Sequence, residues 1–173
     1  MLSDAWLAQK IVRLLNETGL PANRLVIEIT ESSLFGDIDQ ARTIVDSLKN
    51  QGIRIALDDF GTGFSSLSYL RTLPFDVIKI DRSFIATIHR DRESAAIVRA
   101  VTTLATAINV TVTVEGIEDA ATLDAVVAMG CAVGQGWYFG KPMTADQAGA
   151  MVRASAAGDA VQAAAPIPIT SAI

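Results

Sequence analysis

Cysteine and histidine are nearly absent from this sequence, which has one of each, Cys131 and His89. An internal disulfide therefore cannot form, and Cys131, which lies in an apolar run, is expected to be buried in a protein of a reducing compartment. Zinc is disfavoured as a bound metal, because its sites usually require several cysteine or histidine ligands. His89 lies in a polar stretch and is expected in a solvated loop rather than as a ligand.

Long apolar runs and excess basic charge are also missing. No run approaches the roughly 20 apolar residues that a membrane-spanning helix requires, and the N-terminus lacks the features of a signal peptide. We therefore expect no membrane segment and a cytoplasmic location. The chain has 14 Lys and Arg against 19 Asp and Glu, a net charge of −5. This charge argues against binding of long nucleic acid, although a small anionic ligand can still bind through metal ions.

Apolar residues make up 50% of the 173 positions, as expected for one globular domain. Five apolar or β-branched runs alternate with segments of helical period. The predicted strands are residues 25–29, 53–57, 77–81 and 110–114, and a run that ends at 134–136. Helices are predicted around residues 7–15, 41–48, 67–70, 97–108 and 123–127, and after a capping box formed by Thr144 and Gln147. We assign residues 1–153 to this domain and the Ala- and Pro-containing residues 154–173 to a disordered tail.

Strands that alternate with helices and are apolar on both faces predict a parallel sheet covered by helices. The sheet is either open and doubly wound or part of a (β/α)₈ barrel. In a barrel the carboxyl ends of all strands meet at one face, whereas an open sheet gathers only those beside one crevice. The predicted fold class is therefore α/β, a partial (β/α)₈ TIM-like barrel with about five parallel βα units. The residues that favour the barrel over the open sheet are the polar residues at the strand ends: Glu28, Glu31, Asp58, Asp59, Asp81, Glu115 and Gln135.

The doublet of Asp58 and Asp59 is the centre of the predicted site. Adjacent residues of a continuing strand point to opposite faces, so the two side chains can share one site only if the strand stops at Leu57. Gly61 and Gly63 predict that it does. The alternative is that the doublet is an ordinary turn or helix N-cap.

Acidic residues at neighbouring strand ends, roughly 4.8 Å apart, disfavour one another unless a positive charge lies between them. Lys79 offsets one charge, and its parity matches that of Asp81. An all-oxygen cluster of this kind favours Mg²⁺ or Mn²⁺. Two such ions suit hydrolysis of a phosphate diester, because they lower the pKa of water and neutralise charge on the phosphate oxygens. Lys79 would then position or help activate the water; alternatively, it only neutralises Asp58.

Three further places in the sequence allow more than one interpretation. Glu31 is either a ligand or an anchor for the loop that follows Asp59. Gln135 lies between two glycines that let a ligand approach the backbone, and it can bind a base edge or a phosphate. The Trp-Tyr-Phe run at residues 137–139 is expected to pack at the rim rather than to stack on bases.

Five motifs, taken in order, resemble the C-terminal two-thirds of the EAL domain, the bacterial cyclic-di-GMP phosphodiesterase family. They are IEITES at residues 27–32, DDFGTGFSSL at 58–67, IKID at 78–81, VEGIE at 114–118, and GQG at 134–136 with GKP at 140–142. The resemblance spans residues 2–151. It implies a modified (β/α)₈ barrel that cleaves cyclic-di-GMP to linear pGpG with Mg²⁺ or Mn²⁺, two ions in the intact domain.

The resemblance also implies a role for each matching residue. Glu28, Asp58 and Asp59 correspond to metal ligands, and Lys79 and Glu115 to residues that support the metal-bound water. The remaining positions are the substrate-binding residues Gln135, Asp81 and Pro142, the loop anchor Glu31, and the flexible loop of Phe60, Gly61, Thr62 and Gly63. Phe64 stands where the family often has tyrosine, a change that removes one hydroxyl.

The family's Glu-Ala-Leu motif and its Asn-x-Ser motif, both metal-binding, do not occur in this sequence. We therefore expect a fragment of a longer protein, weakly active or inactive alone, with a GGDEF or sensory domain upstream. The intact domain is expected to form a homodimer through the loop after Asp59. One alternative is a non-catalytic cyclic-di-GMP receptor or interaction module. Another is an enolase-type proton abstractor, which also combines strand-end acids, Mg²⁺ and a lysine.

Overall fold

The computed structural model describes residues 6–34, 38–62 and 67–156. The strands in this part are β1 (Val26–Thr30), β2 (Arg54–Phe60), β3 (Val77–Ile80), β4 (Thr111–Glu115) and β5 (Val133–Gln135). The helices are α1 (Leu7–Thr18), α2 (Ile38–Asn50), α3 (Leu67–Thr72), α4 (Arg82–Thr87), α5 (Arg92–Ala107), α6 (Ala120–Ala128) and α7 (Ala145–Ala156). All five predicted strands are confirmed, with ends shifted by at most three residues. None of the helices described is long and apolar enough to cross a membrane.

The five strands form one sheet in the order β1-β2-β3-β4-β5, and every neighbouring pair is parallel. Crossovers between parallel strands are almost always right-handed, so a sheet in sequential order carries its connecting helices on one side. A doubly wound sheet instead reverses its strand order at a switch point. The sequential order therefore confirms the partial (β/α)₈ barrel and excludes the open alternative.

Successive side chains of each strand point alternately to the two faces of the sheet, one packed against the core and one forming the inner face. One parity packs under the helices and is almost completely buried: Ile29, Ile55, Leu57, Ile78, Ile80, Val112 and Val114. The opposite parity carries the polar residues: Glu28, Asp58, Lys79, Thr113, Glu115 and Gln135. The predicted site residues thus lie on the side of the sheet that becomes the interior of a barrel.

Several helix boundaries follow the local signals in the sequence. Gly19, with φ of 68°, ends α1, and Gly52, with φ of 82°, follows α2. The capping box before α7 is confirmed, because the Thr144 amide donates to Gln147 Oε1 at 2.9 Å and the Gln147 amide donates to Thr144 Oγ1 at 3.4 Å.

The structure differs from the sequence prediction in two places, at the end of β3 and in the C-terminal tail. Residues 82–87 form α4, which was not predicted, because a six-residue helix is too short to show a clear period. The predicted third strand accordingly stops at Ile80, before Asp81. Residues 154–156 belong to α7, and the rest of the predicted tail lies outside the described residues. Cys131 is buried and His89 is exposed, as expected.

Candidate functional site

Lys79 is the centre of a charge cluster drawn from four neighbouring strands. It lies on β3 and is only 6% exposed. Its Nζ lies 2.8 Å from Glu28 Oε2 on β1, 3.2 Å from Asp58 Oδ1 on β2 and 2.6 Å from Glu115 Oε1 on β4. The structure therefore brings together four residues that the sequence predicted as one site, since the parallel strands end at the same edge.

The strand that carries the acidic doublet does not stop at Leu57, as the sequence analysis expected. β2 continues to Phe60, whose side chain is 5% exposed and belongs to the hydrophobic core. Phe60 is therefore not part of the flexible loop, which begins at Gly61. Thr62 turns back on the strand, because its amide and hydroxyl both donate to the carbonyl oxygen of Asp59, at 3.2 and 2.9 Å. Gly63 and the following residues 64–66 lie outside the described part.

A β-bulge, rather than the expected strand end, brings the two aspartates to one site. The register of β2 against β3 shifts between Leu57 and Phe60, so that Asp58 and Asp59 together lie opposite Lys79. A bulge of this kind places two residues against one and disturbs the alternation of side chains. Asp59 adopts a φ of 55°, a left-handed conformation that aspartate tolerates better than most residues. Both carboxylates can thereby serve one site while the strand continues.

The cluster has more carboxylates than ammonium groups, and this imbalance shifts the pKa values of its members. Burial alone would lower the pKa of Lys79, but its hydrogen bonds to Glu115, Glu28 and Asp58 outweigh this effect and raise the pKa above the ordinary value of lysine. The ammonium therefore remains charged at neutral pH. Asp59 has a raised pKa, first because it is partly buried and then because Asp58 and other acidic neighbours disfavour a further negative charge.

The donor set fits a hard divalent cation in its chemistry, since every donor is a carboxylate oxygen. Glu28, Asp58 and Asp59 are the residues that could hold such an ion. In the described ranges, no three acidic, histidine or cysteine side chains already converge closely enough to bind a metal. The Lys79 ammonium accounts for this, because it lies among the carboxylates of Glu28, Asp58 and Glu115.

Asp81 has a structural contact that the sequence analysis did not predict. Its Oδ1 accepts a hydrogen bond of 2.9 Å from the amide of Ser83 and so caps α4. Burial opposes ionisation of Asp81, but the hydrogen bonds from Ser83 and the Arg82 amide hold its pKa below the usual range. Asp81 is therefore a charged neighbour of Asp59 rather than one of the carboxylates that contact Lys79.

A cavity of about 630 Å³ lies beside the cluster and includes two of the three predicted substrate positions, while Asp81 does not line it. Glu115, Gln135 and Pro142 all line it, as do Arg82 and Lys141, which the sequence analysis did not select. Arg82 directly follows the IKID motif and Lys141 lies within GKP, but single basic residues are common on protein surfaces, so the signal for each was weak. The volume is typical of a site for a small organic ligand.

The glycines on either side of Gln135 have a role that differs from the expected approach of a ligand. A Cβ atom at Gly136 would lie 2.0 Å from the carbonyl oxygen of Ile117, and one at Gly134 would lie 2.5 Å from Ile117 Cδ1. The Gln135 carbonyl also accepts a hydrogen bond of 3.1 Å from the Ile117 amide. These glycines are required because the chain after β4 packs directly against the chain around β5.

Two other site predictions are resolved in part. Glu31 is 2% exposed and lies in a 3₁₀ turn, Glu31–Leu34, that packs against β1 and β2. Its role as anchor of the loop stays a prediction, because residues 63–66 are outside the described part. Within the aromatic run, Tyr138 and Phe139 pack against the core, whereas Trp137 is 62% exposed. The expectation of packing is therefore confirmed for Tyr138 and Phe139 and stays a prediction for Trp137.

Replacing Asp59 with asparagine is expected to raise the melting temperature at pH 7 in EDTA. Asparagine tolerates the left-handed φ and removes a charge that Asp58 and Asp81 disfavour. The raised pKa means that wild-type Asp59 takes up its proton earlier as the pH falls, so the difference between the two proteins should shrink towards pH 4. Thermal unfolding at both pH values measures this. A lower melting temperature for the variant at pH 7 would contradict the electrostatic explanation.

Residues 1–142 match the family model of the EAL domain. The chain is 38% identical over 145 residues to the bifunctional diguanylate cyclase/cyclic di-GMP phosphodiesterase MucR of Pseudomonas aeruginosa, an alignment that covers 84% of this chain and 21% of MucR. The first four curated relatives share 38% to 47% identity with it. The chain spans about a fifth of the length of these relatives, 17% to 21%.

Solved structures agree with the sequence comparison. The MucR phosphodiesterase in complex with c-di-GMP matches with a TM-score of 0.81 and 37% identity, over 85% of this chain and 60% of that chain. BlrP1 of Klebsiella pneumoniae, solved with manganese and cy-diGMP, matches with a TM-score of 0.76 and 30% identity, over 81% of this chain and 36% of that chain. Both structures were solved with the cyclic dinucleotide bound, and that of BlrP1 also with manganese.

Proposed function

Because this chain belongs to the EAL domain family, we propose that it contributes the acidic half of a metal-dependent active site that hydrolyses cyclic-di-GMP to linear pGpG. The observation that carries the proposal is the contact of the buried Lys79 ammonium with carboxylates from three neighbouring strands. The isolated chain is expected to be weakly active or inactive, because the family's Glu-Ala-Leu and Asn-x-Ser motifs are not in its sequence. The active form is a longer protein, cytoplasmic and dimeric through the loop after Asp59, with a GGDEF or sensory domain upstream.

In this proposal each residue of the cluster has a separate task. Glu28, Asp58 and Asp59 hold Mg²⁺ or Mn²⁺, which when bound supply Lewis acidity that lowers the pKa of water and offsets phosphate charge. Lys79 donates hydrogen bonds that fix the directions of the Asp58 and Glu115 carboxylates. The Glu115 carboxylate accepts a proton from the attacking water or orients that water towards the phosphorus atom.

The residues around the 630 Å³ cavity bind and orient the substrate. Gln135 lies beside Glu115 in the β4–β5 register, so its amide can hydrogen-bond a base or phosphate next to the reacting group. Asp81 and Pro142 bound the same end of the sheet. Glu31 anchors the loop after Asp59 in this proposal.

Measuring pGpG release from cyclic-di-GMP with Mg²⁺ and Mn²⁺ by the longer protein that contains this chain tests the proposal. The Glu115→Gln variant should lose about a hundredfold in rate, because glutamine keeps the size of the side chain and cannot accept a proton. Glu93→Gln is the control, since Glu93 is exposed in the first turn of α5 and does not line this cavity, and the rate of this variant should change much less. Unchanged turnover in Glu115→Gln would contradict the assigned role.

A non-catalytic receptor is the second candidate, and one observation favours it. Lys79 balances Glu28, Asp58 and Glu115 by direct ion pairs, so this arrangement of side chains does not require a metal ion to offset its repulsion. A receptor would bind cyclic-di-GMP tightly in EDTA and release no pGpG when Mg²⁺ or Mn²⁺ is added. Calorimetry in EDTA, followed by product analysis with metal, separates the two functions.

A further inference from the structure

Four exposed large apolar side chains surround one cavity. Trp137 is 62% exposed, Met143 42%, Met151 39% and Val152 69%, and all four line the 630 Å³ cavity that also contains Glu115 and Gln135. Exposed apolar groups gathered around a cavity usually mark a surface that a ligand or partner covers. Because Glu115 and Gln135 share this cavity, its occupant lies next to the proposed reaction.

The backbone holds Trp137 in a fixed place. The amide of Tyr138 donates to the Ile117 carbonyl oxygen at 3.0 Å, and the amide of Phe139 donates to the Gly136 carbonyl oxygen at 3.1 Å. The rings of Tyr138 and Phe139 pack edge to face, with centroids 5.5 Å apart, and contact the core. Trp137 is therefore an exposed indole on a well-supported turn, and little conformational freedom is lost when a ligand contacts it.

Lys141 defines the environment of the indole. Its Nζ lies 5.7 Å from the centroid of the Trp137 ring, within the range of a cation–π interaction. The Trp137 side chain remains 62% exposed, so part of its surface is available to a planar group. Lys141 also places a positive charge next to the indole, where it can attract the phosphate of an anionic ligand.

We propose that Trp137, supported by Lys141, is a stacking platform for a purine base of the bound cyclic dinucleotide, an inference that rests on the proposed function. A flat base covers the indole and the apolar rim, and Gln135 binds polar edges of the same ligand. Stacking of a base on an aromatic side chain contributes about 1–3 kcal/mol, independently of the chemical step. Trp137 is thus a positioning residue that sets affinity for the substrate rather than its rate of hydrolysis.

Calorimetric titration of cyclic-di-GMP into the protein with Ca²⁺ tests the platform. Trp137→Ala should raise Kd about 5- to 150-fold, the equivalent of 1–3 kcal/mol. Trp137→Phe, which keeps an aromatic face, should stay within about threefold of wild type. Trp6→Ala is the matched control, since Trp6 is 64% exposed and does not line this cavity. The melting temperature should remain unchanged in all three variants.

A spectroscopic measurement distinguishes stacking from an indirect effect. The chain has two tryptophans, so Trp6→Phe leaves Trp137 as its one indole fluorophore. Saturation with cyclic-di-GMP should quench this fluorescence. A wild-type Kd in Trp137→Ala, or unchanged fluorescence at saturation, would overturn the platform and leave the proposed function standing. No binding of cyclic-di-GMP by the wild-type chain would also overturn the platform, whereas the proposed function is tested separately by pGpG release from the longer protein.

Discussion

In the longer protein that contains this chain, replacing Lys79 with methionine is expected to lower the rate of cyclic-di-GMP hydrolysis about a thousandfold. It should also destabilise the protein by about 2–3 kcal/mol in EDTA, because the carboxylates of Glu28, Asp58 and Glu115 lose their common cation. The cost stays below that of a fully buried ion pair, since the Glu28 side chain is 49% exposed and remains partly hydrated. Chemical denaturation and pGpG release measure the two effects separately.

Divalent ions should change the stability of this variant more than that of the wild type. In wild type, Mn²⁺ competes with the Lys79 ammonium for Glu28 and Asp58, whereas in Lys79→Met it has no competitor. Millimolar Mn²⁺ should therefore raise the melting temperature of Lys79→Met by more degrees than that of the wild type. This result would support a metal site by a measurement that is independent of activity.

The control is a second lysine–aspartate pair away from the strand ends. Lys49 Nζ lies 2.5 Å from Asp76 Oδ1, and both side chains are between one quarter and one third exposed. Lys49→Met should cost less stability and show no added response to Mn²⁺. If Lys79→Met is as stable as the wild type in EDTA and equally insensitive to Mn²⁺, the carboxylates are not coupled to the lysine as the structure indicates.

Replacing Gly136 with alanine is expected to destabilise the protein by about 3 kcal/mol or more. The added methyl group would lie 2.0 Å from the carbonyl oxygen and 2.4 Å from the amide nitrogen of Ile117, which are backbone atoms and cannot rotate away. The chain after β4 would have to separate from β5, with loss of the hydrogen bond from the Ile117 amide to the Gln135 carbonyl oxygen. Urea denaturation measures the stability, and amide exchange at Ile117 reports the local opening.

Gly149→Ala provides the matched control for this substitution. Gly149 lies within α7, and its added methyl group would meet only the flexible guanidinium of Arg153, at 3.2 Å. Alanine in a helix interior is favoured over glycine by roughly 0.5–1 kcal/mol, so this variant should be unchanged or slightly more stable. Equal stability of Gly136→Ala and wild type would mean that Gly136 does not pack against Ile117 in solution.

The sequence predicted the charge cluster because its members lie at the ends of recognisable strands. Glu28, Lys79 and Glu115 each occupy the inward parity of a short β-branched run, and the carboxyl ends of parallel strands meet at one edge. The core is predictable for the same reason, since residues of the opposite parity, such as Ile78 and Val114, are completely buried. Alternation is a local property of the chain, so it requires no knowledge of the partner strands.

The features that the sequence analysis missed depend on contacts between strands. The bulge at Asp58 and Asp59 arises from the register of β2 against β3, which no pattern within β2 alone shows. The purpose of Gly134 and Gly136 likewise depends on Ile117, which approaches from a neighbouring connection. A glycine that admits a ligand and a glycine that admits another backbone have the same sequence signal, so only the fold distinguishes them.

The sequence by itself determined the class of fold, the family resemblance and the set of acidic residues, because strand runs, parity and motif order are written along the chain. Only the tertiary structure decided how the residues meet: that Lys79 contacts three carboxylates, that a bulge rather than a strand end places both aspartates opposite it, and that Trp137 remains exposed beside the cavity. The physical reason is that distances between side chains on different strands follow from register and packing, which are properties of the assembled sheet.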